Sequence, residues 1–277
     1  MNNKKINMIK DDKQWKIDYL FEKDVNYSFE IHFNDIITNM ERFFQDYVNV
    51  ISLDLSNFDL SNITTLYRMF QGCKKLKEIK GINKFDSSKA INMCVMFQEC
   101  HELECLDLSN FDISNVIVMS AMFNKCQKLK EIKGINKFIT NKVTNMKGIF
   151  QECHEIEYID LPNFDTSNIT DNSCLFNKCY KLKEIKGINK FITNKVTNLK
   201  TMFQFCYELD NLDLSNFNTS NVKDMSWMFE DGNKLKYLNL LNFSINIETE
   251  DMLAFKQKGK CKFITKNKHL QNIYNSF

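Results

Sequence analysis

Six cysteines recur at Cys73, Cys100, Cys126, Cys153, Cys179 and Cys206, at intervals of 27, 26, 27, 26 and 27 residues. Each follows a phenylalanine by three positions: Phe70, Phe97, Phe123, Phe150, Phe176 and Phe203. Weaker copies, Phe44 with Tyr47 and Phe229 with Gly232, extend the series at both ends. A fixed period of this length means a stack of equal supersecondary units, each able to bury its apolar side only against its neighbours. The chain reads as a solenoid of about eight coils.

Alignment on the phenylalanine gives the rules of one coil. An aliphatic residue follows the cysteine by three positions (Leu76, Leu103, Leu129, Ile156, Leu182, Leu209), and another follows three later (Ile79, Leu106, Ile132, Ile159, Ile185, Leu212). A second phenylalanine column runs from Phe58 to Phe243. Leu106-Asp107-Leu108 alternates as a short half-buried strand does. From Val143 to Cys153, apolar Met146, Ile149, Phe150 and Cys153 lie at helical spacing behind Thr144 or Asn145 as N-cap, which predicts about two helical turns. The expected fold is therefore α/β: coils of short strand plus short helix, sharing one parallel sheet and capped at both ends.

The period alternates because there are two coil types. One reads Cys-His-Glu-Leu-Glu-Cys-Leu-Asp-Leu-Ser-Asn-Phe from Cys100; the other, from Cys126, is one residue longer beside Gly134, as at Gly81 and Gly187. A bulge there would use glycine's access to positive φ. The genetic unit is a pair of 53 residues, and Lys128 to Asn145 is identical to Lys181 to Asn198.

The motif Met-Phe-x-x-Cys-x-x-Leu-x-x-Leu-Asp-Leu-Ser-Asn-Phe-Asp-x-Ser-Asn-Val at Met96 to Val116, repeated around Met202 to Val222, resembles the BspA-type leucine-rich repeats. It is most similar to the 26-residue branch found in Mycoplasma lipoproteins and in protist and bacterial surface proteins. The likeness covers about 38–243 and implies a leucine-rich-repeat solenoid for binding or adhesion, without catalysis. Gly232 in place of the cysteine, and Ile149 and Leu175 in place of the methionine, depart from the motif. The division expected is an N-terminal cap (1–37), the solenoid (38–243) and a C-terminal cap (244–277). Tyr27, Phe29, Ile31 and Phe33 alternate with polar residues as a strand, and Thr38-Asn39-Met40-Glu41 has the form of a capping box. Glu250 to Phe255 suits a last helix and Cys261 to Thr265 a closing strand.

A net charge of +2 argues against a nucleic-acid binder. No apolar run is long enough to cross a membrane, so no membrane insertion is expected. The first residues lack the apolar core of a signal peptide, and no small-residue lipobox precedes an early cysteine. These readings favour the cytoplasm; the family resemblance favours the cell surface. The periodic cysteines suit a ladder of buried thiols, although stacking would bring their Cα atoms within disulfide reach. No Cys-x-x-Cys pair points to zinc.

Three charged columns alternate in sign from coil to coil. They run Lys75, Glu102, Lys128, Glu155, Lys181, Glu208, Lys234; then Lys77, Glu104, Lys130, Glu157, Lys183, Asp210, Lys236. Beside the strand the column is Asp54, Lys80, Asp107, Lys133, Asp160, Lys186, Asp213. Opposite-charge pairs across neighbouring strands favour one register. The same stripes could serve as a recognition face, and the strand-side column is the candidate interaction face. Lys256, Lys258, Lys260, Lys262, Lys266 and Lys268 form a basic cluster that suits either a solvated cap or a phosphate-binding tail. His101 and His154 share a column with Lys74, Gln127, Tyr180 and Tyr207, with no nucleophile at fixed spacing. Asn-x-Ser/Thr matches at Asn26, Asn62, Asn168, Asn218 and Asn242 are unspecific in so asparagine-rich a chain. The sequence names no catalytic residue, metal site or cofactor. The reading is a non-enzymatic scaffold binding a protein partner, with an exported or surface-displayed adhesin as the alternative; the oligomeric state is left open.

Overall fold

Each coil begins at a residue of one column, Asn, Asp or Thr in all but one coil, and this column forms a ladder that runs unbroken along the stack. Parallel bridges join Asn39, Thr65, Asn92, Val118, Asn145, Asp171, Asn198 and Asp224 in turn, marking eight coils. The structure, a computed structural model, describes residues 8–11, 14–17, 36–56, 58, 60–244, 250–253 and 261–276. A short side chain here accepts the N–H two residues on: Asn92 Oδ1 takes that of Cys94 at 3.0 Å, and Asp171 Oδ1 that of Ser173 at 2.8 Å. Such local bonds are what Asn and Asp do better than helix interiors allow. At Thr38–Glu41 the same turn, Glu41 N–H to Asn39 Oδ1 at 2.7 Å, stands in place of the expected capping box.

The segment expected as a helix is instead a run of tight turns. Two positions per coil, four residues apart, take positive φ, as at Val95 (61°) and Glu99 (62°) or Ala121 (53°) and Lys125 (60°). A left-handed residue costs about 1–2 kcal/mol in an L-chain, and what offsets it is hydrogen bonding. Val95, Phe97 and Glu99 donate to the carbonyls of Ser120, Met122 and Asn124 in the next coil at 2.9–3.0 Å, while Gln98 and Cys100 close turns on Val95 and Phe97. An α-helix would spend these donors within its own coil. The apolar spacing of three and four survives because the turns advance in the same steps, so Met96, Phe97 and Cys100 are all buried.

The strands are β1 (Met8–Asp11), β2 (Gln14–Ile17), β3 (Ser52–Asp54), β4 (Glu78–Lys80), β5 (Cys105–Asp107), β6 (Glu131–Lys133), β7 (Tyr158–Asp160), β8 (Glu184–Lys186), β9 (Asn211–Asp213), β10 (Tyr237–Asn239) and β11 (Lys262–Ile264). β1 and β2 pair antiparallel; β3 to β11 are parallel, β3 to β10 one per coil and β11 after the last. The expected single sheet is divided. Pairs β3–β4, β5–β6 and β7–β8 and the trio β9–β10–β11 are each hydrogen bonded, and each pair joins a short coil to the long one after it. In the three two-stranded pairs a glycine follows the second strand, whereas β9 and β10 pair without one. Gly134 (φ 84°) follows β6 so closely against the preceding coil that a Cβ would lie 2.4 Å from Ser109 Cα, and a 3-10 turn, Ile135–Lys137, follows. The strand side thus closes within each 53-residue pair.

The core is a set of columns. Phenylalanine rings from Phe44 to Phe229 stack 5.3–5.8 Å apart. The six periodic cysteines are buried free thiols, each donating to the carbonyl of a phenylalanine one coil back at 3.0–3.2 Å. Burial pushes the thiols of Cys73, Cys126 and Cys206 up to about 12. An amide ladder runs beside them, each side chain donating toward the C-terminus. Gln71 bonds to Gln98 (2.8 Å), Gln98 to Asn124 (2.9 Å), Asn124 to Gln151 (3.0 Å), Gln151 to Asn177 (3.3 Å) and Asn177 to Gln204 (2.8 Å). Gln204 closes the ladder on Glu230. At the C-terminal end, a 3-10 turn (Glu250–Leu253), β11 and helix α1 (Lys268–Ser276) follow the last coil, and Leu270 is buried. The strand expected from Tyr27 to Phe33 lies outside the described residues, as do Lys256, Lys258 and Lys260 of the basic cluster.

Candidate interaction faces

Asp54, Lys80, Asp107, Lys133, Asp160, Lys186 and Asp213 all end their strands, and the register sets Asp54 beside Lys80, Asp107 beside Lys133 and Asp160 beside Lys186. No ion pair within 4 Å joins these partners among the described residues. The carboxylates work locally: Asp54, Asp107 and Asp213 each accept the N–H of the serine two residues on at 3.0 Å. Those serine bonds hold the Asp54 and Asp107 carboxyls below the usual range, with the nearby lysines adding less. Pro162 has no N–H to offer Asp160, and Asp160 remains exposed.

The other two charged columns pair in one direction only. Glu102 with Lys128 (2.7 Å), Glu155 with Lys181 (2.6 Å) and Glu208 with Lys234 (2.6 Å) form ion pairs. So do Glu104 with Lys130 (2.7 Å) and Glu157 with Lys183 (2.7 Å). Every one of these joins the coils of a single 53-residue pair. The alternation of sign expected to link every coil to both neighbours links it to one.

Between pairs the strand face opens. A notch of about 480 Å³ separates β6 from β7, lined by Lys133, Gly134 and Asp160 at the rim and by Ile132, Ile156 and Phe150 within. Tyr158 stands on its edge, 61% exposed, the most exposed aromatic among the described residues, with Lys183 Nζ 5.7 Å from its ring centroid. Sequence reasoning passed over Tyr158 because its column otherwise holds Ser52, Glu78, Cys105, Glu131, Glu184, Asn211 and, in the last coil, Tyr237. On the adjoining flank His154, Tyr180 and Tyr207 stack at 4.4 and 5.3 Å. His101 and His154 are half-buried, and desolvation holds both imidazoles below their ordinary range.

The described residues hold no group of three His, Cys, Asp or Glu placed for a metal ion, and no helix among them is long and apolar enough to cross a membrane. The molecule is a parallel solenoid of about eight coils with short strand-and-turn repeats, consistent with a leucine-rich-repeat-like fold. Solved structures similar to it include a leucine-rich repeat protein of Bacteroides ovatus, 15% identical over 96% of this chain and 78% of that one, with TM-score 0.47. The T. pallidum leucine rich repeat protein is 20% identical over 62% and 72%, with TM-score 0.39. A leucine rich cell surface protein of Faecalibacterium prausnitzii is 12% identical over 98% and 96%, with TM-score 0.28. The cytoplasmic location expected from the sequence is corrected at this point, since the similar structures include one described as a cell surface protein. The physical reason is that buried thiols fit either compartment: a sulfur sealed in the core is out of reach of oxidants. No curated protein sequence matches the chain. A family model described as "Mycoplasma protein of unknown function, DUF285" matches residues 38–158 and 144–265, which together span most of the chain, and to that family this protein belongs.

Proposed function

We propose that this protein is a surface-displayed adhesin of the BspA-type branch, a binding module that grips a protein partner through its strand face. The solenoid of 38–243 is the binding unit, and 1–37 and 244–277 close its ends. The observation that carries the reading is the notch at β6–β7 with Tyr158 on its rim. Exposed aromatics beside desolvated pockets dominate protein recognition energetics. The strand-end residues from Asp54 to Asp213 supply the charged surround. Display at the surface is what the repeat's resemblance to surface proteins implies. The test is binding of the immobilised chain to purified matrix and serum proteins, comparing wild type with Tyr158→Ala and with the swap Asp107→Lys/Lys133→Asp. A specific partner should lose about tenfold or more in affinity with Tyr158→Ala and less with the swap. Binding indifferent to both would refute the strand face. Failure of an antibody to label intact source cells would refute display.

A further inference from the structure

The charged columns of the strand face neutralise themselves within each coil pair; a line of lysines on the turn flank does not. Lys89, Lys142 and Lys195 sit at corresponding positions two coils apart. Each ammonium is held by a neutral amide of the preceding coil: Lys89 Nζ by Asn62 Oδ1 at 2.6 Å, Lys142 by Asn115 at 2.6 Å and Lys195 by Asn168 at 2.7 Å. The amides are pinned in turn. Asn115 Nδ2 donates to the Ser88 carbonyl at 2.7 Å and Asn168 Nδ2 to that of Asn141 at 2.8 Å. Three exposed cations are thereby held in position by neutral amides, with no carboxylate among the described residues in an ion pair with them.

Two residues on lies the column Thr64, Ile91, Ile117, Thr144, Thr170, Thr197 and Lys223, uncharged until its last member. Its backbone is a continuous ladder, each N–H donating to the coil before at 2.8–3.0 Å. The result is a rigid strip with hydroxyls and methyls beside spaced cations. The acids of this flank keep their charge but bond to backbone N–H groups of their own turns and form no ion pair with these three lysines. Asp171 accepts the Ser173 N–H, while Asp224 accepts that of Ser226 and pairs with Lys200 at 3.4 Å; Asp86, Asp112 and Asp165 accept N–H groups of Ser88, Ser114 and Ser167.

We propose that this strip binds an extended acidic polysaccharide carrying one carboxylate or sulfate per disaccharide. Spacing selects the polymer class. With coils 5.3–5.8 Å apart along the phenylalanine column, the lysines repeat at about 11 Å, comparable to one disaccharide of an extended chain. Duplex DNA carries a charge every ~1.7 Å of axis and would leave most of its phosphates unmatched. Single strands are held by stacking on aromatic rings, and neither the lysine line nor the threonine column contains one. Between its acidic groups a polysaccharide presents hydroxyls, which the threonine oxygens and asparagine amides of the strip can meet. This inference concerns a different face from Tyr158 and does not rest on the adhesin reading.

The probe is a hyaluronan decasaccharide, titrated calorimetrically at low and high salt. Two triple variants make the same change in net charge: Lys89→Gln/Lys142→Gln/Lys195→Gln on the strip, and Lys128→Gln/Lys181→Gln/Lys234→Gln in the ion-paired column. Glutamine keeps a donor for each asparagine, and thermal melting checks that both variants fold. Wild type should bind, more weakly as salt rises; the strip variant should lose about tenfold or more, while the paired-column variant stays within about threefold. Absence of wild-type binding, or equal loss in both variants, overturns the proposal. Tighter binding of poly-L-glutamate or oligo(dT) through the same lysines overturns the polymer class.

Discussion

Asn172 stands in a core column otherwise filled by Met40, Leu66, Met93, Met119, Met146, Leu199 and Met225. It is fully buried, and neither its Oδ1 nor its Nδ2 has a hydrogen-bond partner. An unpaired buried polar group costs about 1–3 kcal/mol, whereas an apolar replacement of similar shape removes that cost. Asn172→Leu keeps the branch point at Cγ and adopts the residue already used at Leu66 and Leu199. Relief of two unpaired atoms, less about 1 kcal/mol for imperfect packing of the new methyls, leaves an expected gain of about 1–5 kcal/mol. For a chain of this size that is a rise in melting temperature of about 2–20 °C. Long repeat arrays can lose all-or-none unfolding, so circular dichroism melting needs hydrogen exchange of the coils on either side as a second readout. Asn172→Ala removes the same polar atoms but leaves a cavity, and should gain little. Asn172→Asp buries a charge and should destabilise strongly. The reasoning is refuted if Asn172→Leu melts below wild type, because the amide must then be satisfied in solution.

One-sided ion pairing predicts an asymmetric response to charge reversal. Lys128→Glu/Lys130→Glu sets like charges against Glu102 and Glu104 and should cost about 1–2 kcal/mol at low salt, recovered at high salt; Glu155→Lys, which faces Lys128 without pairing to it, should change salt dependence less once its own pair with Lys181 is subtracted by a double-mutant cycle. Val95 holds φ 61° with a β-branched side chain, so Val95→Gly should raise the melting temperature while Gly148→Val, its counterpart two coils on, lowers it. Stability should fall in two stages as pH drops. His101 and His154 are held below the ordinary imidazole range by burial, so the unfolded chain binds the proton first and stability declines once pH passes below about 6.5. Asp107, Glu102, Glu104 and Glu157, lowered by hydrogen bonds, contribute stability that is present above about pH 4–4.5 and lost below it. Urea midpoints across pH 3–8, with His101→Gln/His154→Gln removing only the upper stage, check both.

The period and the burial of its columns were legible in the amino-acid sequence, because a residue that recurs every 26 or 27 positions meets its own kind in the neighbouring coil. Phe70 to Phe203, the cysteine ladder and the two coil types follow from that rule alone. The turn run from Met146 to Cys153 was not legible: its apolar spacing suits a helix, and only the competition for N–H groups between one coil and the next selects left-handed residues at Gly148 and Glu152. Nor could alternating charge reveal that Glu102 takes Lys128 and leaves Lys75. That choice follows the strand pairing, β5 with β6 and not with β4, and the gap between β6 and β7 leaves the strand face open at Tyr158. Sequence periodicity determines which residues stack. The direction in which each coil leans, and so where the notch and the unneutralised lysines lie, is decided by close backbone contacts that form only after the coils have stacked.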